Sequence, residues 1–283
     1  MIFTLYKNRD RNKRISIRRL ATLVLLLVFV PGISTATEHL SLTGSSTVAP
    51  LALEIAKRFE KLNPGIRIDV QTGGSSRGIN DARRGLADIG MVSRALKQSE
   101  TDLTAHTIAT DGIGIILHSD NPVDQLSDDQ IRAIYTGKIA NWRELGGEDR
   151  GITVVNKAEG RSTLELFLHY FGLRNSQIKA RVIIGDNQQG IKTVAGNPGA
   201  IGYVSIGTAE YEEQRGVSIK RPIVNGVEAS IATVRSGDFP LSRPLNLVTK
   251  GELTDLAKRF ILFAQSAQVD DLVEGQFFVS RQH

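Results

Sequence analysis

Cysteine is absent from all 283 residues. That excludes a disulfide framework, a thiolate-ligated zinc or iron–sulfur centre, and the thioether lipid anchor that tethers many exported bacterial proteins. A membrane-spanning run is missing too: the apolar stretch Leu20–Val30 has 11 residues, against roughly 20 for a helix that crosses a bilayer. The five histidines are scattered without ligand spacing, so no metal site is expected. No P-loop occurs either, so any nucleotide hydrolysis belongs to a partner. No internal repeat or low-complexity tract interrupts the chain beyond residue 36. With 41% apolar and 23% charged residues, the composition is that of a globular protein rather than a disordered or collagenous one. The length favours two lobes over a single core.

The net charge of +5 suggests a nucleic-acid partner only until its distribution is examined. Residues 1–36 contain seven of the 35 basic residues and one of the 30 acidic ones, leaving 28 against 29. The remainder carries no basic excess, and no nucleic acid is expected. The first 36 residues have a basic start, the apolar stretch, Pro31-Gly32 and then Ser34-Thr35-Ala36, the order of a secretory signal peptide. Cleavage after Ala36 is expected, with an uncleaved anchor as the alternative. The product is a free periplasmic protein.

From Thr37 onward, short β-rich runs alternate with helical patterns: LSLTG, PLALEIAKRFEKLN, IRIDVQTGG, INDARRGL, ADIGMVS. Such alternation predicts an α/β fold with mainly parallel strands and helices on both faces. Val48, Ala52, Ile55, Phe59 and Leu62 recur at helical spacing. Ser127 and Gln130 have the spacing of a capping box before a further helix. The run TIATDGIGIILHSDNP reads as one or two strands and a turn, and is where the chain is expected to cross between lobes. The expected organisation is lobe I over residues 37–120, lobe II over 121–207, and a return to lobe I over 208–283 through RPLNLVTK and the helix LTDLAKRFILFAQ.

One pattern occurs three times: a strand, then Gly and hydroxyl residues, then a helix. The three loops are Gly44-Ser45-Ser46-Thr47, Gly73-Gly74-Ser75-Ser76 and Gly160-Arg161-Ser162-Thr163. A helix start exposes unpaired N–H groups and the positive end of the dipole, and serine or threonine adds donors. Any single case is ordinarily just an N-cap. Three at the carboxyl ends of strands suggest convergence on one anion. Ser93-Arg94 ends a further strand, and Lys157 and Arg161 flank or lie in the third loop; a guanidinium presents a planar fork to an oxyanion.

With these residues the chain resembles the periplasmic phosphate-binding proteins of ABC-type phosphate importers. The matching segments run in order: LTGSSTVAP, TGGSSRGI, ADIGMVSR, LSDDQIRAIYTGKIANW, VVNKAEGRST, NPGAIGYVS and FPLSRPLNLVTKG. The resemblance implies a two-lobed α/β binding protein of type II that closes over inorganic phosphate and hands it to a membrane permease, as a monomer without cofactor or catalysis. Carried over by position, the phosphate-binding residues are Thr47 with the Val48 amide and neighbouring Ser46, Ser75, Ser162 and Thr163; Ser76, Ser93, Arg94 and Arg161, in or beside the same loops, are further phosphate-binding candidates. Arg161 stands where the family usually has serine, and Lys157 where the loop usually has arginine. Many members place aspartate at the position of Arg94, where a carboxylate accepts the proton of hydrogen phosphate and rejects sulfate. Here either Asp111 takes that role or discrimination is weaker; Asp111 is equally readable as a turn residue.

Three other readings stay open: a receptor for another oxyanion (sulfate, molybdate or tungstate), a sensing or adhesion module, and a serine hydrolase. The last comes from Gly74-Ser75-Ser76-Arg77-Gly78, which satisfies the G-x-S-x-G elbow with Ser76 as nucleophile.

Overall fold

The computed structural model describes residues 37–282; the expected signal peptide, residues 1–36, lies outside the described residues. The first part of the chain forms β1 (Glu38–Gly44), α1 (Ala49–Leu62), β2 (Ile66–Thr72), α2 (Ser75–Arg84), β3 (Ile89–Val92) and the long β4 (Leu103–His118). Then come β5 (Gln125–Leu126), α3 (Asp128–Tyr135), β6 (Thr153–Lys157), α4 (Ser162–Tyr170), β7 (Val182–Ile184), α5 (Asn187–Ala195), β8 (Ala200–Ser205) and α6 (Ile206–Gln214). The chain ends with β9 (Ile219–Lys220), β10 (Ile223–Val224), α7 (Ile231–Ser236), β11 (Ser242–Lys250), α8 (Asp255–Ala264) and α9 (Asp270–Gly275).

The main sheet has the order β2-β1-β3-β11-β4-β8-β6-β7, with β9 also on β4. In its first half β2, β1 and β3 run parallel, and in its second half so do β7, β6 and β8. Between them β11 is antiparallel to both β3 and β4, and β4 to β8. Parallel strands point their carboxyl ends the same way, so the loops leading into α1, α2 and α4 emerge at carboxyl edges, where α/β proteins bind ligands.

The run TIATDGIGIILH belongs to a single strand of 16 residues. Leu103–Gly112 pair with β11 in the first half, and Ile113–Leu117 with β8 in the second. The chain therefore crosses between halves inside β4, beside Asp111. β9 and β10 pair with β4 and β5, so strand pairing returns the chain to the first half only at β11.

Each half has helices on both faces. In the first, Leu40, Leu42, Ile89, Met91, Leu245 and Leu247 of the sheet are buried against Ile55 and Phe59 of α1 and Phe260 of α8. α2 covers the opposite face with Ile79 on Val92 and Val248. In the second half Ile131, Tyr135, Trp142, Phe167 and Tyr203 fill one side, and Val155, Ile191, Val194 and Val204 the other. Each such side chain contributes ~1.5–3 kcal/mol by leaving water. Leu62, expected on the buried face of α1, is 59% exposed and is the last residue of that helix.

Local signals hold where backbone chemistry is specific. Ser127 Oγ accepts the Gln130 amide at 3.2 Å and Gln130 Oε1 accepts the Ser127 amide at 2.7 Å, completing the capping box of α3. Gly78 lets α2 lie directly on the sheet: a Cβ there would meet Met91 O at 2.7 Å and Thr43 O at 2.9 Å. That close approach fixes Ser75 at the sheet edge.

Candidate anion site

Hydroxyls of the first and third loops, together with Ser93, meet around an arginine that lies outside all three loops, and Ser75 of the second loop joins them through the Ser93 amide. Arg243, 2% exposed, is on β11 directly opposite Asp111 on β4. Register alone makes them a pair: Asp111 Oδ2 accepts from Arg243 Nη2 at 2.9 Å and from Nε at 3.2 Å, and the carboxylate is fully buried. Asp111 Oδ1 accepts the Gly207 amide at 3.2 Å, at the start of α6. Asp111 is thus a strand residue, not a turn residue.

The rest of the guanidinium reaches three segments. Nη1 donates to Thr163 Oγ1 at 2.9 Å and to Ser93 Oγ at 3.4 Å, and Nη2 donates to Thr47 Oγ1 at 3.3 Å. Asn187 Nδ2 also donates to Thr47 Oγ1, at 3.2 Å, and Ser75 Oγ accepts the Ser93 amide at 3.2 Å. All these hydroxyl residues are buried. Each of the four hydroxyls accepts a hydrogen bond, and none donates one within the described residues. A hydroxyl carries one proton to give, so four donors are left for a group rich in acceptors. Ser162 Oγ, in a residue 2% exposed, has no partner among the described residues.

Helix capping separates this arrangement from ordinary N-caps. α3, α5, α6, α7 and α8 each begin with a side chain accepting a first-turn amide, from Ser127, Asp186, Ser205, Ser230 and Thr254 respectively. The N-cap residues of α1, α2 and α4, which are Val48, Gly74 and Arg161, make no such bond, nor does Val269 of the short α9 away from the site. The site helices keep positive, sparsely capped ends.

Two further cations border the site. Lys157, 3% exposed, donates from Nζ to Asn187 Oδ1 at 2.8 Å. Burial pushes its ammonium down to about 7, and the charges of Arg243 and Arg161 push the same way, with Asp186 opposing. Arg161 crosses to the second loop: a Cβ on Gly74 would lie 2.4 Å from its Nη1. Its buried Nε has no partner among the described residues.

Other expected residues fall elsewhere. Arg94, expected as an anion ligand, is held by Glu100 through two bonds of 2.8 Å, and its Nε, which lies 3.2 Å from Glu165, has no hydrogen-bond partner among the described residues. The Val48 amide points to Ser45 Oγ at 3.4 Å, and the Thr47 amide to the same atom at 3.2 Å, so Ser45 serves the first loop. Ser46 is half-buried and lines a groove of about 380 Å³ between α1 and α5. Ser76 joins loops instead of facing a histidine: its amide donates to Gly160 O at 3.2 Å and its hydroxyl to Glu165 Oε1 at 3.4 Å.

Arg243 was legible as a lone cation leading an apolar strand, and Asp111 as a lone acid inside one, charges that burial forces to pair. Asn187, next to an N-cap, gave no comparable signal. Among the described residues no cluster of His, Asp and Glu could hold a metal ion, and no helix is long and apolar enough to cross a membrane.

Two half-sheets with anion-directed loops at their facing edges define a two-lobed binding protein, and residues 30–268 match the family model of the PBP superfamily domain. The chain belongs to that superfamily and, within it, to the phosphate-binding proteins called PstS. It is 33% identical over 250 residues to the phosphate-binding protein PstS of Bacillus subtilis, covering 86% of this chain and 81% of that one. A crystal structure of a putative phosphate ABC transporter substrate-binding protein from Clostridium perfringens, with bound phosphate, superposes with a TM-score of 0.81 at 36% identity over 87% of this chain and all of that one. An ABC-type phosphate transport receptor from Vibrio cholerae gives a TM-score of 0.70 at 28% identity over 86% of this chain and all of that one.

Proposed function

We propose that this chain captures inorganic phosphate between its two halves in the periplasm, as a non-catalytic monomer, and delivers it to an ABC permease. The observation that carries the reading is the set of four buried hydroxyls, on Thr47, Ser75, Ser93 and Thr163, that accept bonds from the protein and keep their protons for a guest. Arg243, Lys157, Arg161 and the helix starts supply positive charge to the same place. An oxyanion with several acceptor oxygens fits that donor set; a cation or an apolar ligand does not. Lobe I is assigned to the half-sheet β2-β1-β3-β11 and lobe II to β8-β6-β7, with lobe II extending through β10.

Asp111 is assigned as the acceptor that favours hydrogen phosphate over sulfate. It is the carboxylate on the site arginine, and each of its oxygens has capacity beyond the bonds already made. The anion would favour the closed arrangement because only that arrangement brings Thr47 and Thr163 to one guanidinium. The test is titration calorimetry with phosphate, sulfate, molybdate and tungstate. Phosphate is expected to bind and to raise the melting temperature. Absence of both effects at millimolar phosphate refutes the reading, and tighter binding of another oxyanion reassigns the substrate. Retained phosphate binding with no effect of a deletion on uptake would instead favour a sensing module.

A further inference from the structure

The cation at position 94 and a carboxylate across the cleft form a second connection between the halves, just outside the anion site. Glu165 is in the first turn of α4, two residues after Thr163. From the second half it reaches three groups of the first: Arg94 Nε at 3.2 Å, Lys97 Nζ at 2.7 Å and Ser76 Oγ at 3.4 Å. The two cations are held in place from behind. Glu100 grips the Arg94 guanidinium at both ends and also accepts the Lys97 amide at 2.8 Å. The side chains of Arg94 and Glu100 are 5% and 7% exposed, that of Glu165 26%, and that of Lys97 53%. This is a graded site, dry at the base and wet at the rim.

We propose that Glu165 is a positioning residue for anion binding: a closure clamp that, without touching the anion, holds the start of α4, and with it Ser162 and Thr163, against the loops of the first half. The proposal rests on the phosphate reading above and adds the element that sets how long the halves stay shut. It also gives Arg94 a role, since Glu100 holds two of its nitrogens and the third, Nε, faces Glu165. A pair spanning the cleft and largely shielded from water contributes more than an exposed ion pair, and because it exists only in the closed arrangement it acts on release.

The test uses the full chain with inorganic phosphate, comparing wild type, Glu165→Gln, Lys97→Ala and the double variant. Calorimetry gives the affinity, and dilution of radiolabelled phosphate gives the release rate. Glu165→Gln is expected to weaken binding about tenfold, with release accelerated by a similar factor and association changed by less than about threefold. The phosphate-free protein should melt within about 2 °C of wild type, because the clamp acts on closure and not on either core. Lys97→Ala, which removes the exposed arm and leaves Arg94–Glu100 intact, should weaken binding about two- to threefold, and its effect should vanish in the Glu165→Gln background. Wild-type protein that bound no phosphate would overturn the reading on which the clamp rests. Wild-type binding with an unchanged release rate in Glu165→Gln would overturn the clamp alone, as would equal loss of melting temperature with and without phosphate.

Discussion

Lys157 gives the sharpest quantitative test, because one buried group sets two pH dependences of opposite sign. Burial, with Arg243 and Arg161, takes its ammonium from the ordinary 10.5 to about 7. At ~1.4 kcal/mol for each tenfold change in proton affinity, that is a coupling of about 5 kcal/mol, an order-of-magnitude ceiling on what an adjacent anion can restore. Between pH 7 and 10.5 the unfolded chain binds a proton at this lysine and the phosphate-free native protein does not. Native stability therefore rises with pH across that window, by up to roughly 1.4 kcal/mol per unit, and the penalty is fully present below 7. Phosphate reverses the preference. Beside an anion the ammonium is favoured, so binding above pH 7 takes up a proton and affinity falls by up to about tenfold per pH unit. Calorimetry from about pH 6 to about pH 9 in buffers of different ionisation enthalpy measures both affinity and proton uptake. Lys157→Met is expected to bind more weakly at pH 6, to show a shallower fall with pH, and to be more stable than wild type without phosphate at low pH. The ionisation of phosphate itself is common to both proteins and cancels in their ratio. Equal slopes in the two proteins would mean that Lys157 takes up no proton when the anion binds, which would refute the reasoning.

Three further outcomes follow from the same geometry. Arg243→Met should cost ~3–5 kcal/mol, read from denaturant unfolding, since it leaves the fully buried Asp111 without its cation; phosphate binding should be lost as well. Ser162→Ala removes a hydroxyl with no partner among the described residues, so stability should change by less than about 0.5 kcal/mol. Its phosphate affinity should nonetheless fall ~10- to 100-fold, the worth of a hydrogen bond to a charged group; an unchanged affinity would place Ser162 outside the site. Asp111→Asn turns an acceptor into a side chain that also donates, so calorimetric preference for phosphate over sulfate should drop by ~10-fold or more. An unaltered preference would move the proton acceptor elsewhere.

The alternation of strands and helices was readable because each element buries one face, and the spacing of Val48, Ala52, Ile55 and Phe59 records that burial directly. The Ser127 capping box was readable because it is local chemistry. The hydroxyl loops were recognisable as helix starts, but whether they capped helices or faced a ligand depended on three-dimensional facts: which carbonyls, amides and cations surround each oxygen. Arg94 shows the limit most clearly. Its place after Ser93 suggested an anion ligand, yet Glu100 six residues on and Glu165 on another element determine where its guanidinium goes. Arg243 shows the converse. Its partner is set by the register of two antiparallel strands 132 residues apart, a distance over which spacing in sequence carries no pairing information.

The two connections across the cleft differ in how they respond to a guest. Glu165 meets Arg94 and Lys97 as opposite charges, so the clamp favours closure whether or not a ligand is present. Around Arg243 the balance runs the other way. Asp111 neutralises one charge, but closure also gathers Arg161, the starts of α1, α2 and α4 and, below about pH 7, the Lys157 ammonium in a dry space where like charges repel more strongly than in water. A clamp strong enough to overcome that repulsion alone would hold the protein shut and empty, while one much weaker would let phosphate escape as fast as it entered. A ligand shifts such an equilibrium only through its differential affinity for the two states. The anion supplies that difference by converting the repulsive centre into an attractive one, while the clamp sets the baseline from which the shift is measured. Glu165 and Lys157 should therefore be separable by experiment: one changes the closing equilibrium at every pH, and the other couples it to protons.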